Sequence, residues 1–372
     1  MADNQTEELS HPEQGDFSSF EGREERPDVQ GATVRSQLVR PRTVISFFVA
    51  AAILITFALR ADLDLDEIWK NIRGANLLYL TAAFALYYFT LFLRAMRWRW
   101  MLKSTGVGAD HETALPGPFY LTGVYMVSWL INCLVPAKLG DAYRAYRVKR
   151  DDGIRYSIGF GTIIGERIFD LAVLVCLLAG SGLLAFHGSM PGQSTSALVL
   201  GVVMVGFVVA SLLVMHFGRE RIRILVPYRF RDHYTNFERA LFQTMRRPVV
   251  PGAYALLIWL FEGLRVYFVS LSLDAELGIS MAIFVALLSA LLTTLPFTPA
   301  GLGVVEVAIV TALTVAGFSK NIAGSVAILD RVITYWSVIV VGAIVALVLM
   351  RMSDKESQIV PAVKDSLQST SS

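Results

Sequence analysis

Long apolar runs recur along the chain, without the strict alternation that marks strands. Runs at 43–59, 77–93, 168–186, 197–217, 249–273 and 322–350 approach or exceed the roughly 17–25 residues with which a helix crosses a hydrocarbon core of about 30 Å. Two further apolar stretches are broken. The first, 119–135, runs into Pro136-Ala137-Lys138-Leu139-Gly140-Asp141. The second is divided into 280–296 and 304–317 by Pro296, Pro299, Gly301 and Gly303, which disfavour continuous helix.

Charge settles how these runs thread the bilayer, because short cytoplasmic loops carry the excess of Lys and Arg. Arg35, Arg40 and Arg42 precede the first run, and Arg94, Arg97, Arg99 and Lys103 end the second. A third basic block holds Lys138, Arg144, Arg147, Lys149, Arg150 and Arg155, and a fourth, from Arg219 to Arg247, has eight arginines. The intervening connections are poor in basic charge: 60–76 has three basic residues against four acids, 187–196 has no charged residue, and 273–280 has only Asp274 and Glu276. Residues 119–135 lie between two blocks that both belong inside, which excludes a single crossing there. The pattern predicts a re-entrant hairpin that enters over Phe119–Leu134, breaks at Pro136–Gly140 and returns through Tyr143–Lys149. The same argument applies to 280–317.

The predicted fold class is therefore an all-α polytopic membrane protein with about six full spans plus two re-entrant helical hairpins. It is placed in the cell (inner) membrane with both termini cytoplasmic. Residues 1–42 are rich in Glu, Asp, Gln, Ser and Pro and lack the apolar core of a signal peptide, so they read as a disordered cytoplasmic tail. Residues 43–350 form the membrane domain and 351–372 a short cytoplasmic tail. Within the domain, 219–247 places Phe230, Tyr234, Phe237, Leu241 and Met245 at helical spacing among arginines. This is the pattern of an amphipathic helix on an anionic inner leaflet. The Arg94–Lys103 block, with Trp98 and Trp100, reads as an interfacial anchor.

The two breaks belong to an internal repeat, with units at about 77–187 and 249–350. Pro136 to Asp141 resembles Pro299-Ala300-Gly301-Leu302-Gly303, which Glu306 follows. Each break leads to a charged motif inside an apolar run, Glu166-Arg167 with Asp170 nearby and then Asp330-Arg331. From Gly140 to Arg167 is 27 residues, and from Gly303 to Arg331 is 28. Each unit is preceded by a span with an arginine near its end, Arg94 and Arg265. The topology makes the repeats inverted, an arrangement that places a substrate site near the midplane where discontinuous helices meet.

Intramembrane charges are costly and mark function by default. Arg167 and Arg331 offer planar donors suited to phosphate. Asp141 and Glu306 beside the tips are candidates to hold a cationic headgroup, a proton or a coupling ion. Lys138, Arg144, Glu166, Asp170 and Asp330 complete the candidate substrate-binding set, with Asn132, Thr293, Thr294 and Thr298 as further polar lining and Pro136, Gly140, Pro296, Pro299, Gly301 and Gly303 forming the breaks. The competing reading is structural: ion pairs across the repeat, such as Arg167 with Asp330, that lock the bundle.

Composition narrows the function classes. The chain is 54% hydrophobic and 17% charged, against about a quarter charged in soluble domains, which leaves no exposed domain for nucleic acid. Cys133 and Cys176 lie in apolar runs, which excludes a disulfide framework or a CxxC site; both read as small packing residues. The five histidines lack ligand spacing and no P-loop is present, so no metal or cofactor is expected.

These motifs resemble the flippase-like membrane family related to the transmembrane region of lysylphosphatidylglycerol synthases (UPF0104-type). The matching pieces are Leu93-Arg94-Ala95-Met96-Arg97-Trp98, Pro136-x-x-x-Gly140-Asp141-x-x-Arg144, Glu166-Arg167 with Asp170, Leu295-Pro296-x-x-Pro299-x-Gly301-Leu302-Gly303-x-x-Glu306, and Asp330-Arg331 with Tyr335-Trp336. The chain departs from the family pattern at Asp141, where Glu is usual, and at Ala300, where Gly is usual. The resemblance implies movement of a lipid between leaflets. Aminoacylation is not carried over, since the soluble transferase domain of those synthases is missing from this sequence. The expected partners are membrane lipids, an anionic or zwitterionic phospholipid or a lipid-linked intermediate. Two alternatives remain. One is a polyprenyl-phosphate-dependent glycosyltransferase with Asp62, Asp64, Asp66 and Glu67 on a divalent cation; the other is a non-transporting scaffold that holds a biosynthetic enzyme through 219–247.

Overall fold

The computed structural model describes residues 63–109, 113–135, 138–186, 192–294 and 298–351, with isolated helical positions at Phe48, Ala52 and Thr56. The expected tails, most of the first span at 43–59, Asp62, Pro136 and Pro296 lie outside the described residues.

Every regular element described is helical. A short helix α1 (Leu65–Arg73) precedes α2 (Leu77–Ser104), the hairpin α3 (Pro118–Leu134) and α4 (Leu139–Asp152), and the long helices α5 (Tyr156–Ala185) and α6 (Gly192–Phe217). Two helices, α7 (Arg219–Leu225) and α8 (Arg231–Met245), lead to α9 (Val249–Ser272). The second hairpin, α10 (Ile279–Thr294) and α11 (Val304–Val315), follows. The last helix, α12, begins at Lys320–Arg331, passes a π-turn at Val332–Trp336 and continues to Arg351. Five helices are long and apolar enough to cross a membrane: Leu77–Ser104, Tyr156–Ala185, Leu198–Phe217, Val249–Ser272 and Lys320–Arg351. The sixth expected crossing falls on the stretch that is largely outside the described residues. The chain is an all-α polytopic membrane protein.

Connectivity shows why the hairpins turn back. Their arms hold 17, 14, 16 and 12 residues, which at 1.5 Å per residue is about 18–26 Å, short of the hydrocarbon core. The Asn76 N–H at the start of α2 donates to the Ser272 carbonyl at the end of α9 at 2.7 Å, and Ile68 of α1 lies against Gly324 near the start of α12. These termini share one end of the bundle. At the other, α8 packs against the first turns of α5, where Gly161 and Gly165 leave room for Phe237, Ala240 and Thr244. The first hairpin thus hangs from the end shared by the close of α2 and the start of α5. The second hangs from the opposite end, between the close of α9 and the start of α12.

Three expectations change. Trp98 and Arg97 are fully buried, and the Trp98 indole N–H donates to Thr162 Oγ1 at 3.0 Å, so this part of the 94–103 block belongs to the protein interior and is no interfacial anchor. The apolar face of 231–245 is also used inside: Leu241 is buried and Phe237 half-buried against α5, while Phe230 remains exposed. Of the two cysteines, only Cys133 packs; Cys176 is on an exposed face.

Candidate functional site

Each break uses backbone that a regular helix cannot supply. In the first, Lys138 takes the left-handed conformation (φ 54°, ψ 40°), and the Gly140 N–H that opens α4 donates to Asn132 Oδ1 at 2.9 Å. A Cβ at Gly140 would sit 2.0 Å from the Ser128 carbonyl oxygen, so the two arms meet only because that residue is glycine. In the second break, Thr298 leads into a 3-10 turn at Pro299–Gly301, with Ala300 (φ 46°, ψ 31°) and Gly301 (φ 70°) both left-handed. The Gly303 N–H donates to Glu306 Oε2 at 2.7 Å. Ala300 therefore occupies, with strain, a conformation that glycine adopts freely.

The near-equal spacing of break and arginine has a direct cause. Arg167 forks onto Asp141, Nε to Oδ2 at 3.1 Å and Nη2 to Oδ1 at 2.8 Å. Arg331 donates from Nε to Glu306 Oε1 at 2.9 Å and from Nη2 to the Gly301 carbonyl at 3.2 Å. Each arginine thus ties its helix to the tip of its own repeat. Asp141 also accepts from Arg144 at 3.0 Å, so its shorter carboxylate still reaches two cations. Asp141 and Glu306 are thus each paired with an arginine of their own repeat.

Behind the tips the pairing continues. Arg144 donates to Glu166 Oε2 at 3.2 Å, with its guanidinium over the rings of Tyr125 and Trp98; the Tyr125 hydroxyl also bonds Glu166. Arg97 donates to Asp170 Oδ1 at 2.6 Å and pairs with Glu166 Oε1 at 3.2 Å. Arg265 pairs with Asp330 and, at 3.1 Å, with Glu262. Arg94 joins Glu262 at 3.3 Å and reaches Asp170 at 3.9 Å. The expected pair Arg167 with Asp330 does not form, because Asp330 goes to Arg265. The partner of Arg265 across the repeat is Arg97, which holds the equivalent acid Glu166, and not Arg94. Sequence reasoning passed over Glu262, although a carboxylate inside the run 249–273 was itself the signal.

Arg97, Arg144 and Glu166 are completely buried. Removing one member of such a pair leaves an uncompensated charge, at a cost of about 3–5 kcal/mol. Where the tips approach each other a cavity of about 590 Å³ opens, lined by Lys138, Asp141 and Arg167 from the first repeat and by Thr298 and Arg331 from the second. Trp129 and Trp259 flank Arg94 in its wall, and Phe207, Val208 and Leu212 of α6 close one side. The cavity thus joins a polar floor to an apolar flank, the two chemistries of an amphiphile.

No group of three or more metal-ligating side chains occurs among the described residues. In the 60–76 connection, Asp64 Oδ1 caps α1 by accepting from the Asp66 and Glu67 N–H groups at 3.0 and 3.1 Å, and Glu67 accepts from Asn321.

The family described as "Lysylphosphatidylglycerol synthase TM region" matches residues 43–342. Among individual proteins, the chain is 36% identical over 228 residues to a UPF0104 membrane protein of Methanocaldococcus jannaschii, covering 61% of this chain and 97% of the relative. It is 24% identical over 306 residues to a UPF0104 membrane protein of Pyrococcus horikoshii, covering 75% and 89%. It is also 26% identical over 359 residues to the glycosyltransferase AglD of Haloferax volcanii, covering 85% of this chain and 56% of that protein.

Proposed function

Since the chain belongs to the family of lysylphosphatidylglycerol synthase transmembrane regions, we propose that it moves a phospholipid or a lipid-linked intermediate between the leaflets of the cell membrane, with both termini in the cytoplasm. The observation that carries this reading is the cavity itself. Its charged floor lies where two oppositely hung hairpin tips converge, and its apolar wall is the lipid-facing helix α6, which is mostly exposed. A headgroup on the floor and acyl or prenyl chains along α6 satisfy both surfaces at once. Irregular backbone at that depth is tolerated where it is covered by protein or lines a cavity, as both breaks do. Of the guanidiniums that line the cavity, Arg167 is the most exposed, its side chain 28% exposed against 8% for Arg331; Arg331 serves to hold the second tip. No nucleotide motif is present, so an ion gradient or the lipid gradient itself supplies the drive.

The test is a dithionite-type leaflet assay on proteoliposomes with fluorescent lipids of several headgroups. Protein-dependent loss of inner-leaflet fluorescence is expected, reduced at least tenfold by Arg167→Ala. Folded protein that behaves as empty liposomes for every headgroup refutes transport.

A second reading takes its support from the relative named glycosyltransferase AglD. Under it, Asp64→Asn with Asp66→Asn removes polyprenyl-phosphate-dependent sugar transfer; under the transport reading the same change leaves lipid movement intact.

A further inference from the structure

Among the described residues of the buried network, Arg94, Arg97, Arg144, Arg167, Arg265 and Arg331 face Asp141, Glu166, Asp170, Glu262, Glu306 and Asp330. Cations and carboxylates balance, and every carboxylate is held by an arginine. Lys138 stands outside this balance. It is half-buried at the first tip, lines the cavity, and forms no ion pair with a described carboxylate. Its neighbour Asp141 is already taken by Arg144 and Arg167.

Two more donors line the same cavity. Arg167 uses Nε and Nη2 on Asp141, so its Nη1 makes no hydrogen bond among the described residues. Thr298, from the other tip, is 4% exposed, and its hydroxyl has no hydrogen-bond partner among the described residues. The backbone adds a third observation. By the alignment of the breaks, Lys138 corresponds to Gly301, and both are left-handed. A side chain in that conformation is strained, and strain of this kind is kept where function uses it. The two repeats thus share the pairs Arg167–Asp141 and Arg331–Glu306, while the first alone adds Arg144 and Asp170, which pair within it, and Lys138, which places a further positive charge at the cavity.

A half-buried ammonium without an ion pair is costly to desolvate, and the nearby Asp141 and Asp170 already pair with arginines. We propose that Lys138, Arg167 Nη1 and the Thr298 hydroxyl form an anion subsite for a phosphate group, and that the cavity consequently selects lipids with a net anionic headgroup over zwitterionic ones. This deepens the transport reading and rests on it for the identity of the cargo. A zwitterion brings an ammonium as well as a phosphate, and every acid that faces the cavity is already bound to arginine.

The experiment is calorimetric binding of dihexanoyl-phosphatidylglycerol, dihexanoyl-phosphatidylcholine and glycerol 3-phosphate to the full chain in uncharged detergent. The phosphatidylglycerol is expected to bind at least tenfold more tightly than the phosphatidylcholine. Lys138→Gln should remove that preference and Lys138→Arg should keep it. Glycerol 3-phosphate binding much more weakly than the lipid supports a lipid ligand. If it binds as tightly, with the same dependence on Lys138, the subsite stands and lipid selection is overturned. Equal affinity for both lipids in the unsubstituted protein overturns the proposal without any variant. Lys138-dependent binding with no leaflet transfer refutes transport alone, whereas transfer without headgroup preference refutes the subsite alone.

Discussion

Arg167 and Arg331 occupy matching positions and act differently because the two tips present different acceptors. Arg331 binds Glu306 and the carbonyls of a non-helical turn, so Arg331→Ala is expected to cost about 3–5 kcal/mol, read as a lowered Tm in detergent. Asp141 keeps Arg144 when Arg167 is removed, so Arg167→Ala should lower Tm less while still impairing lipid transfer. Equal destabilisation by the two changes would contradict this division. Gly140→Ala should prevent assembly of the first hairpin, since its methyl meets the Ser128 carbonyl. At the basic end, outside the spans, Asp152 has a buried Oδ2 without a partner, and burial with the neighbouring Asp151 pushes its carboxyl from 3.8 up to about 6. A raised acid favours the folded state in its protonated form, so its contribution is present below the ordinary value and lost as pH rises through about 6. Asp152→Asn should therefore raise Tm at pH 8 and leave it unchanged at pH 4, measured by thermal denaturation in detergent.

Among the elements, α6 is the one whose packing fits a moving part. It lies against α5, faces lipid over most of its length and walls the cavity. Local stability follows packed apolar contact, and gating elements come from its low end. Val175 of α5 lies close to Gly201 of α6. With Cys133 and Cys176 replaced, a disulfide between cysteines at 175 and 201 should arrest lipid transfer, and reduction should restore it; unchanged transfer in the oxidised form excludes α6 as the gate. The hairpins carry their own test. Single cysteines at 138–144 should react with an impermeant reagent from the cytoplasmic side, and those at 298–308 from the opposite side. That the first hairpin turns back was legible in the loop charges, because basic blocks on both flanks of one apolar stretch admit no single crossing. That Trp98 and Arg97 turn inward was not legible, since Trp and Arg favour interfaces equally well until tertiary partners, here Thr162, Asp170 and Glu166, absorb them.

Across the whole molecule, α2 and α9 form the seam of the inverted repeat, and the Arg94–Glu262 pair crosses it. Each of these residues sits three positions before the arginine that serves its own repeat, Arg97 and Arg265. The halves thus share one polar junction while each tip is fastened within its own half. Arg94→Glu and Glu262→Arg should each destabilise the protein, and the double exchange should recover part of the loss; an additive double variant would show the pair to be uncoupled.

The sequence by itself determined the spans, the two breaks, their opposite orientation and most of the charges, because length, loop charge and proline or glycine at a break act locally or through the bilayer. It also carried the 27- and 28-residue intervals that bring Arg167 to Asp141 and Arg331 to Glu306. Only the tertiary structure decided which acid belongs to which arginine. Each guanidinium has several carboxylates within reach of its helix, and pairing is chosen by how the helices cross. That choice ties Asp141, Glu306 and Arg331 to the tips and leaves Lys138 as a cavity-lining positive charge with no ion pair among the described residues.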